Sequence, residues 1–379
     1  MSHTVKDFDL LDAKISIVNY RNLRHIDWTL MAVTVALALV GFGVLYSATR
    51  STTTPYYLRQ VLFFLGGAGL ALFIMCIDSR FIVWAAPALY GAIVLLLVAV
   101  LLWGVEVRGG TRWLSLGPFR LQPSEQSKLV LVFMLTWYLT TIKQRIRKLP
   151  YLLLGFVLVG VPVALILRQP NLGTAAALLP IGVVMMYVAG CRWWHLLVLF
   201  LVGLAAVPFA YPHLEEHQQK RIVSFLKPEA DPMGTGWQTR QSRITVGSGG
   251  LTGKGFRQGT QTMLNYLPEH HTDFIFSLLA EEHGFVGALV VIALFAVFLL
   301  RGLELARDCP DMTGTLLATG CVTLLSFHVF VNIAITTAIL PVTGIPLPFL
   351  SYGGNFYLTT MMCVGVLLHA PVRKHFFTD

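Results

Sequence analysis

The chain has 379 residues, of which 55% are hydrophobic and only 12% charged, and its mean hydropathy is +0.69. A soluble globular protein carries about 25% charged residues. A chain this long with so few charges cannot cover itself in water, so lipid must be its solvent. The net charge of +9 does not mark a nucleic-acid binder, because the basic residues lie between apolar runs and form no patch interleaved with aromatics on a polar domain.

A membrane span needs about 20 mostly apolar residues. The first apolar run begins near Trp28, behind a head carrying Lys6, Lys14, Arg21 and Arg24. No small-residue cleavage site follows it, so it is expected to remain as the first membrane helix. Read in chain order, spans are expected near 28–48, 57–77, 81–103, 125–142, 149–167, 173–190, 195–212, 273–300, 312–338 and 349–370. The fold class is therefore an all-α polytopic membrane protein of about ten transmembrane helices. Residues 1–27 form an N-terminal head, 28–370 the membrane domain, and 371–379 a C-terminal tail.

Lys and Arg in the short connections set orientation. With the N-terminus cytoplasmic, the inner segments hold fourteen and the short outer segments six, so both termini are expected in the cytoplasm. Lys143 to Lys148, reading KQRIRK, is the strongest anchor. Cys76, Cys191, Cys309, Cys321 and Cys363 are scattered without a CxxC, which argues against a disulfide framework or a thiolate metal site. No internal repeat of the kind that builds many transporters is visible.

Two connections are more than tethers. The outer loop from Glu106 to Gln122 carries Trp113, Leu114, Leu116 and Phe119, suited to the membrane interface. The segment from about 211 to 272 is long, polar and Gly-rich, and loops of that length are seldom without function.

Ionisable groups in or beside spans are costly and are functional candidates by default. In LPEHHTDFIF, Glu269, His270, His271, Thr272 and Asp273 run directly into an apolar helix. Thr272 or Asp273 would cap that helix, and a capping role is as good an explanation of the acid as catalysis. Glu125 and Lys128 in QPSEQSKLVLVF share a helix face at i, i+3, as a structural ion pair or as lining of a cavity, with Pro123 and Ser124 as the helix start. Arg59, Arg112 and Arg168 lie on the outer side; each alone suits a lipid headgroup, and together they suit a pyrophosphate.

Glu281 and Glu282 fall within a run, 273–300, whose helical length of about 42 Å exceeds what a bilayer needs. A break or tilt is expected near Gly284, and the glutamates suit a packed ion pair or a proton path, with the structural role favoured. In PVTGIPLPFLSYGG, Pro341 to Gly354, prolines and glycines interrupt helix at an outer helix end, which is tolerated only where backbone packs in protein or lines a cavity. The glycines of GSGGLTGKGF match no nucleotide-binding loop.

Together GGTRWLSLGPFRLQPSE, QPNLGTA, RIVSFLKPEADPMGTGW, GSGGLTGKGFRQGTQ, LPEHHTDFIFSLLAEEHG and LPVTGIPLPFLSYGG resemble the SEDS family (shape, elongation, division and sporulation) of bacterial cell-wall polymerases, from about residue 30 to 370. GSGGLTGKGFRQGTQ is most similar to the elongation branch. The resemblance implies a peptidoglycan glycosyltransferase that polymerises lipid II on the outer membrane face. It implies an essential acid at Asp273 and cavity positions for Arg59, Arg112, Glu125 and Lys128, and Glu269 and His271 are expected to contact substrate beside that acid. It also implies a class B penicillin-binding protein as partner, within membrane lipid and without nucleic acid. A divalent cation, Mg or Mn, would assist at the pyrophosphate, but no ligand cluster in the sequence requires one. The family's usual QPDLGT reads QPNLGT here, which removes the charge at Asn171, and His283 stands where leucine is common. The rival readings are a lipid II flippase and a non-catalytic scaffold of cell-wall synthesis.

Overall fold

The computed structural model describes residues 26–49, 56–107, 110–117, 119–210, 212, 219, 223, 235–260 and 271–376. Glu269 and His270 lie outside this set. Ten long helices occupy the expected spans: α1 Trp28–Ala48, α2 Tyr56–Cys76, α3 Ser79–Trp103, α4 Pro123–Ile142, α5 Leu149–Leu167, α6 Leu172–Val188, α7 Trp193–Ala210, α9 Ile275–Asp308, α10 Met312–Thr336 and α11 Gly354–Phe376. A shorter helix, α8 Thr235–Ser248, lies within the long polar segment. Six of the long helices (α1, α2, α3, α5, α9 and α10) are long and apolar enough to cross a membrane by themselves. The chain is a multi-pass membrane protein.

Local chemistry explains the boundaries. Asp27 caps α1 by accepting from the Leu30 amide at 2.8 Å, Asp78 caps α3, and Asn171 caps α6. Pro123 occupies the first turn of α4, where its missing N–H costs nothing. Alternating up and down, the helices return to the same two ends. Arg301 near the end of α9 reaches Asp27 at the start of α1 at 2.7 Å, which fixes both at one end of the bundle. The starts of α2, α4, α6, α9 and α11 gather at the other.

Burial is uneven. α4 and α10 are the central helices, buried along most of their length, whereas no residue from Trp193 to Ala205 of α7 is buried. Between α3 and α4 the outer loop folds as a three-stranded antiparallel meander, β1 Val105–Val107, β2 Gly110–Leu116 and β3 Phe119–Leu121, a small sheet in an otherwise helical protein. Trp113 pairs with Val105, and Leu114 with Leu121.

α9 breaks at Gly284, whose φ of 65° and ψ of −164° lie outside helix. The backbone groups freed there are not left bare, as lipid would require. The carbonyls of Glu281 and Glu282 accept from the amides of Lys254 and Gly255, each at 3.0 Å, and the amides of Phe285 and Val286 donate to Gly250 and Leu251. The GSGGLTGKGF segment thus threads into the break. A Cβ on Gly284 would overlap the amide nitrogen of Gly253, so the seam needs glycine on both sides. Lys254 pairs with the buried Glu281 at 2.7 Å, while Glu282 accepts from Ser47 of α1 and from the Arg257 amide. Beyond the break, the piece from Phe285 to Asp308 is about 36 Å long and spans a bilayer unaided.

The tenth helix begins later than the sequence suggests. Residues 341–353 form a buried, non-helical linker between α10 and α11, with Leu347, Phe349, Leu350 and Ser351 inside the protein. Pro346 and Pro348 deny helical donors, and Phe349 sits at φ 65°.

Candidate active site

The polar groups of this membrane domain converge at the end where α4 and α9 begin. On α4, Lys128 Nζ lies 2.7 Å from Glu125 Oε2, the expected i, i+3 pair. Lys128 is 0% exposed, so its ammonium reaches no solvent-facing surface, while Glu125 is 5% exposed. The same ammonium lies 3.1 Å from His328 Nε2 of α10 and 5.1 Å from the ring centre of Phe356 on α11. His328 in turn stacks on Phe356 at 4.5 Å, and its Nδ1 lies 3.1 Å from the Pro346 carbonyl in the linker. A charge pair this enclosed survives because every element around it supplies a partner.

Asp273 stands just before α9. The cap position of that helix falls on Phe274, so neither Thr272 nor Asp273 is the N-cap residue. Phe274 turns inward instead, packing with Val331, Ile335, Val342 and Ile345. That apolar contact docks the start of α9 on α10 and the linker, with Asp273 at its half-buried edge. Backbone ties finish the placement. Asn332 Nδ2 donates to the carbonyls of Asp273 at 3.0 Å and Ile345 at 2.7 Å, and Ser351 Oγ donates to the Thr272 carbonyl at 2.6 Å. Gly344, at φ 72°, lies beside the acid: a Cβ there would stand 3.7 Å from Asp273 Oδ2, an ordinary contact distance. His271 stacks on Tyr56 of α2 at 5.1 Å, and its carbonyl accepts from the Tyr352 amide.

The arginines divide. Arg59 lies one turn along α2 from Tyr56, exposed, between the stacked Tyr56 and the buried Gln60, whose amide donates to the Ser351 carbonyl. Arg112 on β2 is half-buried and directs Nε and Nη2 to the carbonyls of Gln169 and Pro170. Its fork therefore braces the α5–α6 corner. Arg168 is exposed at that same corner. Asn171, the uncharged departure from the family string, accepts from the Thr174 amide at 3.3 Å, a capping role that needs an oxygen but no charge. Among the described residues no three His, Cys, Asp or Glu side chains gather as a metal site.

His328 and Asn332 are the residues that reading the sequence passed over. Their signal was present: a histidine and an asparagine at i, i+4, in a span whose other polar side chains are small hydroxyls, mark one face of a buried helix.

Helical spans around an enclosed charge pair, with an acid tied to the same linker as that pair, define a polytopic membrane protein with a built polar site. The chain belongs to the FtsW/RodA/SpoVE family, whose model, described as cell cycle protein, matches residues 25–375. It is 38% identical over 365 residues to the probable peptidoglycan glycosyltransferase FtsW of Trichlorobacter lovleyi, covering 92% of this chain and 93% of that one. It is 36% identical over 355 residues to the peptidoglycan glycosyltransferase MrdB of Escherichia coli K12, covering 92% and 94%. Among solved structures, a chain of a peptidoglycan synthase complex that coordinates polymerization and crosslinking superposes with a TM-score of 0.80 at 34% identity, covering 92% of this chain and 98% of that one. The rod shape determining protein RodA of Thermus thermophilus superposes at 0.69 with 31% identity and the same coverage.

Proposed function

We propose that this protein is a peptidoglycan glycosyltransferase that extends glycan strands from lipid II, with Asp273 as its general base. The observation that carries the residue assignment is the placement of Asp273. Phe274 anchors the helix start from below, and Asn332 holds the Asp273 carbonyl.

The reaction is one displacement. An acceptor sugar hydroxyl attacks the anomeric carbon of the donor, the bond from that carbon to the lipid pyrophosphate breaks, and the anomeric centre inverts. Asp273 takes the hydroxyl proton as the new glycosidic bond forms. Negative charge develops on the departing pyrophosphate, which is where a fixed cation helps most. Arg59 is the exposed guanidinium nearest in sequence to the groups around His271, and it suits that contact. Lys128 is enclosed, so its charge acts at short range and through the Glu125 carboxylate that it holds. His271, stacked between α2 and the linker, and Glu269, in the adjoining segment, are assigned to substrate contact.

The positive-inside distribution supports cytoplasmic termini and a site on the outer face of the bacterial cytoplasmic membrane, where lipid II is presented. The resemblance of GSGGLTGKGFRQGTQ supports the elongation branch. The likeness to a chain of a synthase complex supports a class B penicillin-binding protein as partner.

Purified full-length protein given lipid II in detergent, with and without the partner, tests the assignment. Asp273→Ala is expected to abolish glycan chains while the protein stays folded. Polymerisation at the normal rate by that variant would remove Asp273 from the mechanism. Translocation of lipid II by a protein that makes no glycan would favour the flippase.

A further inference from the structure

We propose that His328 and Asn332 are positioning residues: one face of α10 sets the Glu125–Lys128 pair and Asp273 relative to each other by tying each to consecutive carbonyls of the linker, Pro346 and Ile345. This rests on the assignment of Asp273 and the Glu125–Lys128 pair to the polymerase reaction.

The roles of the atoms follow from their partners. The Pro346 carbonyl can only accept, so the His328 nitrogen 3.1 Å from it, Nδ1, carries the hydrogen. Nε2 then holds a lone pair, and the Lys128 ammonium beside it at 3.1 Å can only donate. The chain of bonds runs from the Pro346 carbonyl through His328 and Lys128 to Glu125 Oε2, with each donor facing an acceptor. The stack of His328 on Phe356 restricts rotation of the ring, so Nε2 cannot swing away.

Asn332, one turn further along α10, repeats the device with its amide. Both Nδ2 hydrogens are committed, one to Asp273 and one to Ile345, while the buried Oδ1 has no hydrogen-bond partner among the described residues. A buried acceptor left unpaired is a cost to stability. Retaining an asparagine at that cost is explained when what matters is its two donors, which lock the backbone of Asp273 to the linker. Because Ile345 and Pro346 are adjacent, a single short stretch of backbone carries both ties. Displacement of that stretch moves Lys128 and Asp273 together; loss of one tie moves one against the other.

The test is steady-state polymerisation by folded full-length protein, with thermal unfolding measured alongside. His328→Phe keeps the ring stack and removes both hydrogen bonds; kcat per folded molecule should fall about 10- to 100-fold with KM changed less than about threefold, as expected for misplacement of a reacting group. His328→Gln restores an acceptor near the Nε2 position and should recover most of kcat. His328→Asn keeps only a donor near the Nδ1 position and should not. In the double variant His328→Phe, Glu125→Gln, the rate should match Glu125→Gln alone, since His328 acts through that pair. Asn332→Ser should lower kcat and leave KM in place.

Wild-type kcat per folded molecule in His328→Asn and Asn332→Ser, whatever their melting temperatures, would overturn the inference. Should His328→Phe fail to fold, the comparison of Gln with Asn at 328 decides the same question. Activity in Asp273→Ala would instead overturn the catalytic assignment beneath it, a separate outcome from any result at 328 or 332.

Discussion

Among the described residues two lysine–glutamate pairs have equal length, 2.7 Å, and their surroundings give them different roles. Glu125 and Lys128 lie on one helix, enclosed on all sides, with His328 as a further partner of the ammonium. Lys254 comes from a loop to reach Glu281 on α9, and its side chain is 26% exposed. Around it, backbone bonds from Lys254, Gly255, Phe285 and Val286 already close the break at Gly284. The first pair is fixed by side chains, with His328 passing the tie on to the Pro346 carbonyl. The second seals a seam that the backbone holds.

That difference is open to attack by mutation. Lys128→Met leaves the enclosed Glu125 without its cation. It is expected to lower kcat by about 10²–10³-fold and to destabilise the fold by about 3–5 kcal/mol; single-turnover kinetics and thermal unfolding check the two effects. Gly284→Ala should cost about 2–4 kcal/mol, because it places a side chain at a left-handed φ and against the Gly253 amide. Folded molecules of that variant should polymerise normally, and an unchanged melting temperature would mean that the seam yields more easily than its geometry implies. For activity Lys254→Met should be mildest: it leaves the buried Glu281 without its cation and destabilises by about 3–5 kcal/mol, but kcat per folded molecule should stay at the wild-type value. A loss of kcat in Lys254→Met as large as that in Lys128→Met would erase the distinction between the pairs.

The legibility of the two pairs follows sequence distance. Three residues on a helix face are enough to pair Glu125 with Lys128, whereas nothing in the local pattern joins Lys254 to Glu281. The break at Gly284 could be expected because the apolar run exceeded a bilayer's thickness, yet the segment that fills it could not. GSGGLTGKGF looked like a loop without a ligand. In the folded chain its glycines let backbone meet backbone at the break. Capping at Thr272 or Asp273 was a fair expectation from composition, but the cap position went to Phe274, because docking its ring on α10 and the linker set where α9 begins.

Arg112 shows a contact of the same long-range kind. Its residue type and outer position suit a headgroup or, with Arg59 and Arg168, a pyrophosphate, and in the folded chain its fork also reaches the carbonyls of Gln169 and Pro170. Lys128, expected as paired or cavity-lining, is paired and enclosed.

Hydropathy, span length and short-range helix spacing by themselves determined the membrane class, ten helical spans, the α4 ion pair and the need for a break in α9, since each depends on residues close in the chain. Only the tertiary structure decided which spans are central, what closes the break, and that His328 and Asn332 bind the acid and the charge pair to adjacent carbonyls. The physical reason is that in lipid the backbone polar groups must find partners within the protein, and the partner found here is often more than fifty residues away in the chain, as Asn332 is from the Asp273 carbonyl.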